Sequence, residues 1–432
     1  MTPVHVGILS FVVLVALMLL RIPVGFVMAL VGFAGFGFLV SWDASLNLLI
    51  RDIFSQFNSY NLTVIPLFVL MGQIAHYSGI SGRLFNTANK FLGHFPGGLA
   101  IATIGACASF SAICGSTSAT AATMASVALP EMKKYQYDPA LATGVVAAGG
   151  SLGILIPPST IFIIYAIMTE QSVGKLFVAG ILPGILLTLL FILTVALWTK
   201  LKPGICQRSP KATWREKFES LTGVIETFIL FAVVMGGLFV GFFTPTESAA
   251  IGALGTLVIA LIGGHLRWHH MVNALQETTR ISCMIMVIVA GATVFGHFLA
   301  VTTIPTQIGA WAASLPLPSA VIIGIIILVY LLLGCLMDSL AMIMLTIPIF
   351  FPVVVTLGYD PIWFGVVIVL VAEMGVVTPP IGINVYVVAG VARDVPLQTI
   401  FKGTSHLLLA LVAAAVLLVM FPQIALYLPS LM

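Results

Sequence analysis

The sequence predicts an all-α polytopic membrane protein, and three observations carry that reading. Of its 432 residues, 60% are hydrophobic and only 7% charged, with a mean hydropathy of +1.18. Several apolar runs reach the ~20 residues that a helix needs to cross ~30 Å of hydrocarbon. The runs also fall into two halves of similar size that repeat one another at a fixed interval.

In chain order, the first run (about 4–20) has nothing basic ahead of it and no small-residue cleavage site behind it, so it reads as a retained span rather than a signal peptide. Runs at about 22–40 and 62–78 follow. A Gly- and Ser-rich pair at about 97–130 reads as a re-entrant helical hairpin. The stretch 139–169 is a span interrupted by Pro157-Pro158, and 176–199 closes the first half. The only long polar interruption, "KLKPGICQRSPKATWREKFES" (200–220), then divides the chain near 210 into repeats over 1–210 and 211–432. Runs at 221–243, 245–264 and 275–300 open the second half. A second hairpin (about 316–352), a second broken helix (about 361–392) and a last span at 404–428 complete it.

The repeat is read from identities. Tyr137, Asp138, Pro139, Gly153, Pro157 and Pro158 match Tyr359, Asp360, Pro361, Gly375, Pro379 and Pro380 at one offset of 222 residues, which also pairs Pro130 with Pro352. One shared dipeptide is common in so apolar a chain, whereas a set with the same internal spacing marks a duplication. Charge gives it an orientation. With five crossings and one hairpin per half, and the basic 200–220 loop in the cytoplasm, all of the 17 Lys and Arg except Arg51 and Lys175 fall on the cytoplasmic side. Both termini then lie in the periplasm. An odd number of crossings per half inverts the two copies, as in many secondary transporters.

Adjacent prolines inside a span remove backbone donors and unwind the helix, which is tolerated at membrane depth only where the freed backbone is buried in protein or lines a wet cavity. Freed carbonyls beside the hydroxyls of Ser151, Ser159 and Thr378 are hard oxygen donors for a small cation such as sodium, and the half-helix beyond each break turns amide donors toward an anion. Alternatively, the prolines are kinks that only shape packing.

The hairpins place Ser116-Thr117 and Asp338-Ser339 at equivalent positions. "SATAATMAS" also suits ordinary small-residue packing. Asp338 is harder to treat so, because an acid near the bilayer centre costs ~2.5–3.5 kcal/mol on insertion scales. Glu373, the counterpart of Ser151, is a second intramembrane acid and reads equally as a carboxyl capping freed amides in a polar seam. Glu226, placed near a helix start, and Glu247, in the helix start "TPTESAA", read as structural. "HLRWHH" (265–270) lacks metal-site spacing and reads as positive-inside interface. The five cysteines, odd in number, read as packing residues.

Several function classes are excluded. There is no Gly-x-x-x-x-Gly-Lys phosphate loop, no His-Glu-x-x-His and no Gly-x-Ser-x-Gly. The basic residues form no concentrated surface for nucleic acid. The two Tyr-Asp pairs lie at opposite membrane edges and read as helix starts ahead of Pro139 and Pro361 rather than as a protease dyad.

The motifs "GSTSATAATMASVALPEM", "GGSLGILIPPS", "FFTPTESAAIGA", "MDSLAMIMLTIPIFFPV" and "GVVTPPIGINVY", in that order, resemble the large membrane subunit of the tripartite ATP-independent periplasmic (TRAP) transporters across essentially the whole chain. The resemblance implies a sodium-driven importer of small carboxylates in the bacterial inner membrane. An elevator motion of a transport domain against a scaffold would move the substrate, with no organic cofactor and no enzymatic step. It also implies two partners, a small four-helix membrane subunit and a periplasmic substrate-binding protein. Carried over, one sodium site would use Ser116 and Ser118 with backbone around Gly149, Gly153 and Pro157, and a second Gly334, Gly375, Thr378 and Pro379. Substrate would lie near Ser151, Pro158, Asp338, Ser339 and Asn384. The alternative is a passive ion or solute channel, which shares the hydropathy but has no need of two unwound, inverted repeats.

Overall fold

A computed structural model describes residues 2–432 except Arg21 and His265. The Arg21 counted among the cytoplasmic basic residues and the first histidine of "HLRWHH" thus lie outside the described residues. Among the described residues there is no strand.

The first half runs α1 (Pro3–Leu19), α2 (Val24–Leu39), α3 (Trp42–Phe57), α4 (Val64–Tyr77), α5 (Ile80–Leu92), α6 (Gly98–Cys114), α7 (Thr117–Lys134), α8 (Pro139–Leu155), α9 (Thr160–Thr169) and α10 (Val173–Leu201). The second runs α11 (Trp214–Phe239), α12 (Pro245–Ile262), α13 (Trp268–Thr302), α14 (Ile304–Ser314), α15 (Ser319–Gly334), α16 (Ser339–Thr356), α17 (Pro361–Val377), α18 (Ile383–Val391), α19 (Leu397–Met420) and the single turn α20 (Gln423–Leu426). Among the described residues seven helical stretches are long and apolar enough to cross a membrane, and the pair Tyr60–Tyr77 and Ile80–Leu92, bent by 63°, would make an eighth.

Helix boundaries recur with the sequence offset. Helices α7 and α16 start and end 222 residues apart, as do α8 and α17. The expected helix starts are capped as their residues dictate. Asp138 accepts from the Ala140 and Leu141 amides and Asp360 from those of Ile362 and Trp363, each ahead of a proline in the first turn. Thr244 and Glu247 close a capping box at the start of α12.

Two expectations are corrected, and two helices are added. The hairpins do not end at Pro130 and Pro352, because α7 and α16 run through these prolines to Lys134 and Thr356; neighbouring helices satisfy backbone groups that a proline frees. Glu226 is not near a helix start. Helix α11 begins at Trp214, where Thr213 and Glu216 form a capping box, and Glu226 lies mid-helix 3.5 Å from Arg83 of α5. The amphipathic helices α3 and α5 were not expected at all.

The scaffold of helix contacts places the broken helices centrally. Helix α8 lies against α6, α7, α17, α18 and α19, and α17 against α15, α16 and α19. Every residue of α8 from Ala140 to Leu155, and of α17 from Ile362 to Val377, is buried, which explains why neither shows a polar face. The Gly-rich stretch of α2 meets α13: a Cβ on Gly25 or Gly32 would lie 2.9 Å from the Cα of Ile288 or Phe295.

Candidate functional site

The site begins with two chain breaks. At the end of α8 the Ile156 amide donates to the Leu152 carbonyl at 3.0 Å. The next two residues are Pro157 and Pro158, which have no amide hydrogen, so the carbonyls of Gly153 and Ile154 lose the donors that would continue the helix. Ser159 then restarts the helix, its hydroxyl accepting from the Phe162 amide at 3.4 Å. The second break is built likewise. The Thr378 amide donates to Gly375 O at 3.2 Å and its hydroxyl to Met374 O at 2.5 Å. Pro379 and Pro380 withhold the next donors, so Gly375 O keeps only the Thr378 amide and Val376 O loses its helical partner, and Gly382, at φ +54°, opens α18. Both Pro-Pro bonds are cis.

Each break is seated on the hairpin of its own half. Gly153 lies so close to the first tip that an added Cβ would stand 2.5 Å from Ser116 O, and Gly375 so close to α15 that one would stand 2.3 Å from the Gly334 carbonyl carbon. Beside the first contact, the Thr160 hydroxyl donates to Gly115 O at 3.3 Å. Both tips are also helix N-caps: Ser116 accepts from the Ala119 amide at 3.4 Å and Asp338 from the Leu340 amide at 3.1 Å. The equivalence of Ser116 and Asp338 is therefore one of backbone role, with a hydroxyl in one half and a carboxylate in the other.

The two halves meet along one face of α8. Asn384 of α18 donates from Nδ2 to Ala147 O at 3.2 Å. One turn further on, the Ser151 hydroxyl and, beyond it, the Leu155 amide face the Glu373 carboxyl. Ser151, Glu373 and Asn384 are all 0% exposed. Among the described residues, neither Glu373 oxygen nor Asn384 Oδ1 has a hydrogen-bond partner.

The expected sodium residues of the first half thus cluster: Ser116 sits on Gly153, Ser118 lies half-buried in the first turn of α7, Pro157 is buried in the break, and Gly149 packs against Cys107. In the second half Gly334 and Gly375 touch, Thr378 is half-buried and Pro379 exposed. Of the expected substrate residues, Ser151 and Asn384 share the α8 face and Pro158 O lies against Gly115. Asp338, exposed, and Ser339, buried, lie at the second tip, and among the described residues no hydrogen bond joins them to the others.

A third feature had no counterpart in any sequence motif. A cavity of about 520 Å³ is lined by residues of α7 and α8 and the end of α18, among them Ser126, Thr143, Lys133 and Asp394. Lys133 Nζ and Asp394 Oδ2 pair at 2.6 Å across it, and this hydrogen bond holds the Asp394 carboxyl below its ordinary range. The pair joins residues 261 positions apart, which no local pattern reveals.

Comparison with known proteins agrees with this architecture. The family model for the tripartite ATP-independent periplasmic transporter, DctM component, matches residues 11–424. The chain is 35% identical over 393 residues to the C4-dicarboxylate TRAP transporter large permease protein DctM of Pseudomonas aeruginosa, covering 91% of each. It is 33% identical over 411 residues to the sialic acid TRAP transporter large permease protein SiaM of Vibrio cholerae serotype O1, covering 95% of each. The solved YdaH transporter of Alcanivorax borkumensis shares the fold, with a TM-score of 0.65 at 16% identity over 88% of this chain and 89% of that one.

Proposed function

The chain belongs to the tripartite ATP-independent periplasmic transporters, as a DctM component, and from that premise we propose that it is the large permease subunit of a sodium-coupled importer of small organic acids. Its relatives are named as permease subunits, not enzymes, and those names give the substrate class as C4-dicarboxylates or sialic acid. A carboxylate of that kind would arrive from a periplasmic binding protein, and a small membrane subunit would complete the complex in the inner membrane.

The observation that supports this reading most is the paired seating of each Pro-Pro break on its own hairpin, Gly153 on Ser116 and Gly375 on Gly334. Backbone carbonyls freed at the breaks, with Ser116, Ser118 and Thr378, are the oxygens that would hold sodium. Gly149, Gly153, Pro157, Gly334, Gly375 and Pro379 would shape those sites. Substrate would lie between them, near Ser151, Pro158, Asp338, Ser339 and Asn384. Sodium coupling has a physical reason: an anion moved through low dielectric is costly to desolvate, and a cation held beside it offsets much of that cost. Inverted halves would let the same site face either side, carried by an elevator motion of the hairpins and broken helices against the remaining helices.

The test is reconstitution of the chain with its small subunit in proteoliposomes, with binding protein and labelled organic acid outside. An inward sodium gradient should drive accumulation without ATP. Accumulation that is the same with sodium replaced by choline on both sides of the membrane would overturn the coupling.

A further inference from the structure

We infer that Glu373 and Ser151, which occupy the same place in the two halves and face one another, form a monovalent-cation site of their own, separate from the sites at the two hairpins. The inference rests on the sodium-coupled reading above and adds to it a residue, Glu373, that the reading leaves without a role.

The argument starts from the polarity of the hydrogen bonds. The Ser151 hydroxyl has one proton, and it is given to Ala148 O at 2.7 Å, so toward Glu373 the hydroxyl offers only lone pairs. The Glu373 carboxylate also offers only lone pairs, and among the described residues neither of its oxygens has a hydrogen-bond partner. One turn along α8, Asn384 has fixed its amide on Ala147 O, which leaves its Oδ1 a further unpartnered acceptor. All three side chains are 0% exposed. The Leu155 amide is the one donor turned toward the carboxyl; a buried carboxylate otherwise met by lone pairs is unfavourable unless something positive stands beside it. A single proton on the carboxyl would satisfy the Ser151 oxygen and leave Asn384 Oδ1 without a donor. A small hard cation draws several oxygens at once, a carboxylate among them.

The position also ties the site to both breaks. Glu373 lies two residues before Gly375, where α17 touches the second hairpin, and it faces the Leu155 amide, the last residue of α8 before the first break. A cation there would contact both broken helices together. Two residues related by the internal repeat and facing each other stand where the halves meet, so this site would be single where the hairpin sites are paired.

The experiment uses the purified complex of the chain with its small subunit and follows thermal unfolding as sodium chloride replaces choline chloride at constant ionic strength, together with equilibrium binding of radioactive sodium. Sodium should stabilise the wild type. In Glu373→Gln the sodium concentration for half-maximal stabilisation should rise about tenfold or more, and the number of sodium ions bound should fall. Ser151→Ala, which keeps the acid, should show a smaller shift in the same direction and serves if Glu373→Gln does not fold. A sodium response in Glu373→Gln and Ser151→Ala equal to that of the wild type overturns the site. So does a Glu373→Gln complex that is more stable than the wild type with sodium binding unchanged, which would identify the acid as a proton carrier. A wild type that itself neither binds nor responds to sodium would instead sink the coupled reading on which the site rests.

Discussion

Gly375 of α17 lies against Gly334 at the end of α15 so closely that a methyl group on Gly375 would come within 2.3 Å of the Gly334 carbonyl carbon, and Gly153 of α8 meets Ser116 O at 2.5 Å in the same sense. The obstacle in both places is backbone, which does not rotate away as a side chain would. Gly375→Ala and Gly153→Ala should therefore each destabilise by about 1–3 kcal/mol or more and abolish uptake. Gly105→Ala in α6, with nothing within 4 Å of its added Cβ, should be neutral or slightly stabilising. Thermal unfolding of the three variants decides it, and a Gly375→Ala midpoint equal to that of Gly105→Ala would rule the close seating out.

Asp338 separates charge from capping. Its carboxylate accepts from the Leu340 amide at 3.1 Å, a role that Asn fills about as well, whereas Ala loses it at about 1 kcal/mol. If the charge serves transport, Asp338→Asn should keep wild-type stability and lose most sodium-dependent uptake, while Asp338→Ala should lose both. Wild-type uptake by Asp338→Asn would leave the residue as a cap alone.

These contrasts mark how far the sequence was legible. The breaks were readable because proline acts through its own covalent structure, so Pro157-Pro158 and Pro379-Pro380 mark unwound backbone in almost any context. The equivalence of Ser151 and Glu373 was readable too, from the offset, but their facing each other was not, because contact between halves is a tertiary fact that spacing does not encode. Helices α3 and α5 were missed for a different reason. "WDASLNLLIRDIFSQF" and "ISGRLFNTANKFL" are amphipathic, and a search for long apolar runs passes over a helix that buries only one stripe. In α5 the buried Ile80, Leu84 and Thr87 show the helical spacing that would have found it. The start of α11 was set seven residues late because "WREKFES" is charged, although Thr213 and Glu216 form a capping box that the sequence displays.

The Lys133–Asp394 pair makes a prediction about pH. Lys133 holds the folded-state pKa of Asp394 below its ordinary value, so the pair's contribution is present above the unfolded carboxylate range, ~3.9, and is lost as pH falls through the lower folded value. Lys133→Met should return the Asp394 titration upward to the ordinary range. Because both side chains are largely exposed, at 77% and 62%, stability at neutral pH should hardly change. Site-resolved titration of labelled aspartate in the two proteins measures the shift, and an Asp394 midpoint that does not move in Lys133→Met would show that the pair does not form.

The last prediction concerns Asp52 and His297, which tie α3 to α13. His297 Nδ1 lies 2.6 Å from Asp52 Oδ2, and the Asp52 side chain is only 5% exposed while that of His297 is 44% exposed. The exposed Arg51 approaches the other carboxylate oxygen at 3.8 Å, beyond hydrogen-bond length, so the histidine is the close partner. Helix α3 presents Leu46, Ile50, Phe54 and Phe57 outward and buries little besides Ser45, whose hydroxyl donates to Phe33 O of α2 at 2.6 Å, and Asp52, which makes the Asp52–His297 contact a large share of what holds it against α13. Removing the imidazole leaves a buried carboxylate oxygen without its hydrogen bond, at a cost of about 1–3 kcal/mol. His297→Ala should therefore loosen α3 before it lowers global stability, and amide exchange over residues 42–57 should quicken more than exchange in α8. Replacing both partners by leucine removes the stranded charge as well as the bond, so the double variant should be less destabilised than the two single changes added together. Unchanged protection of α3 in His297→Ala would mean that its seat on α13 is apolar and that the pair contributes nothing to it.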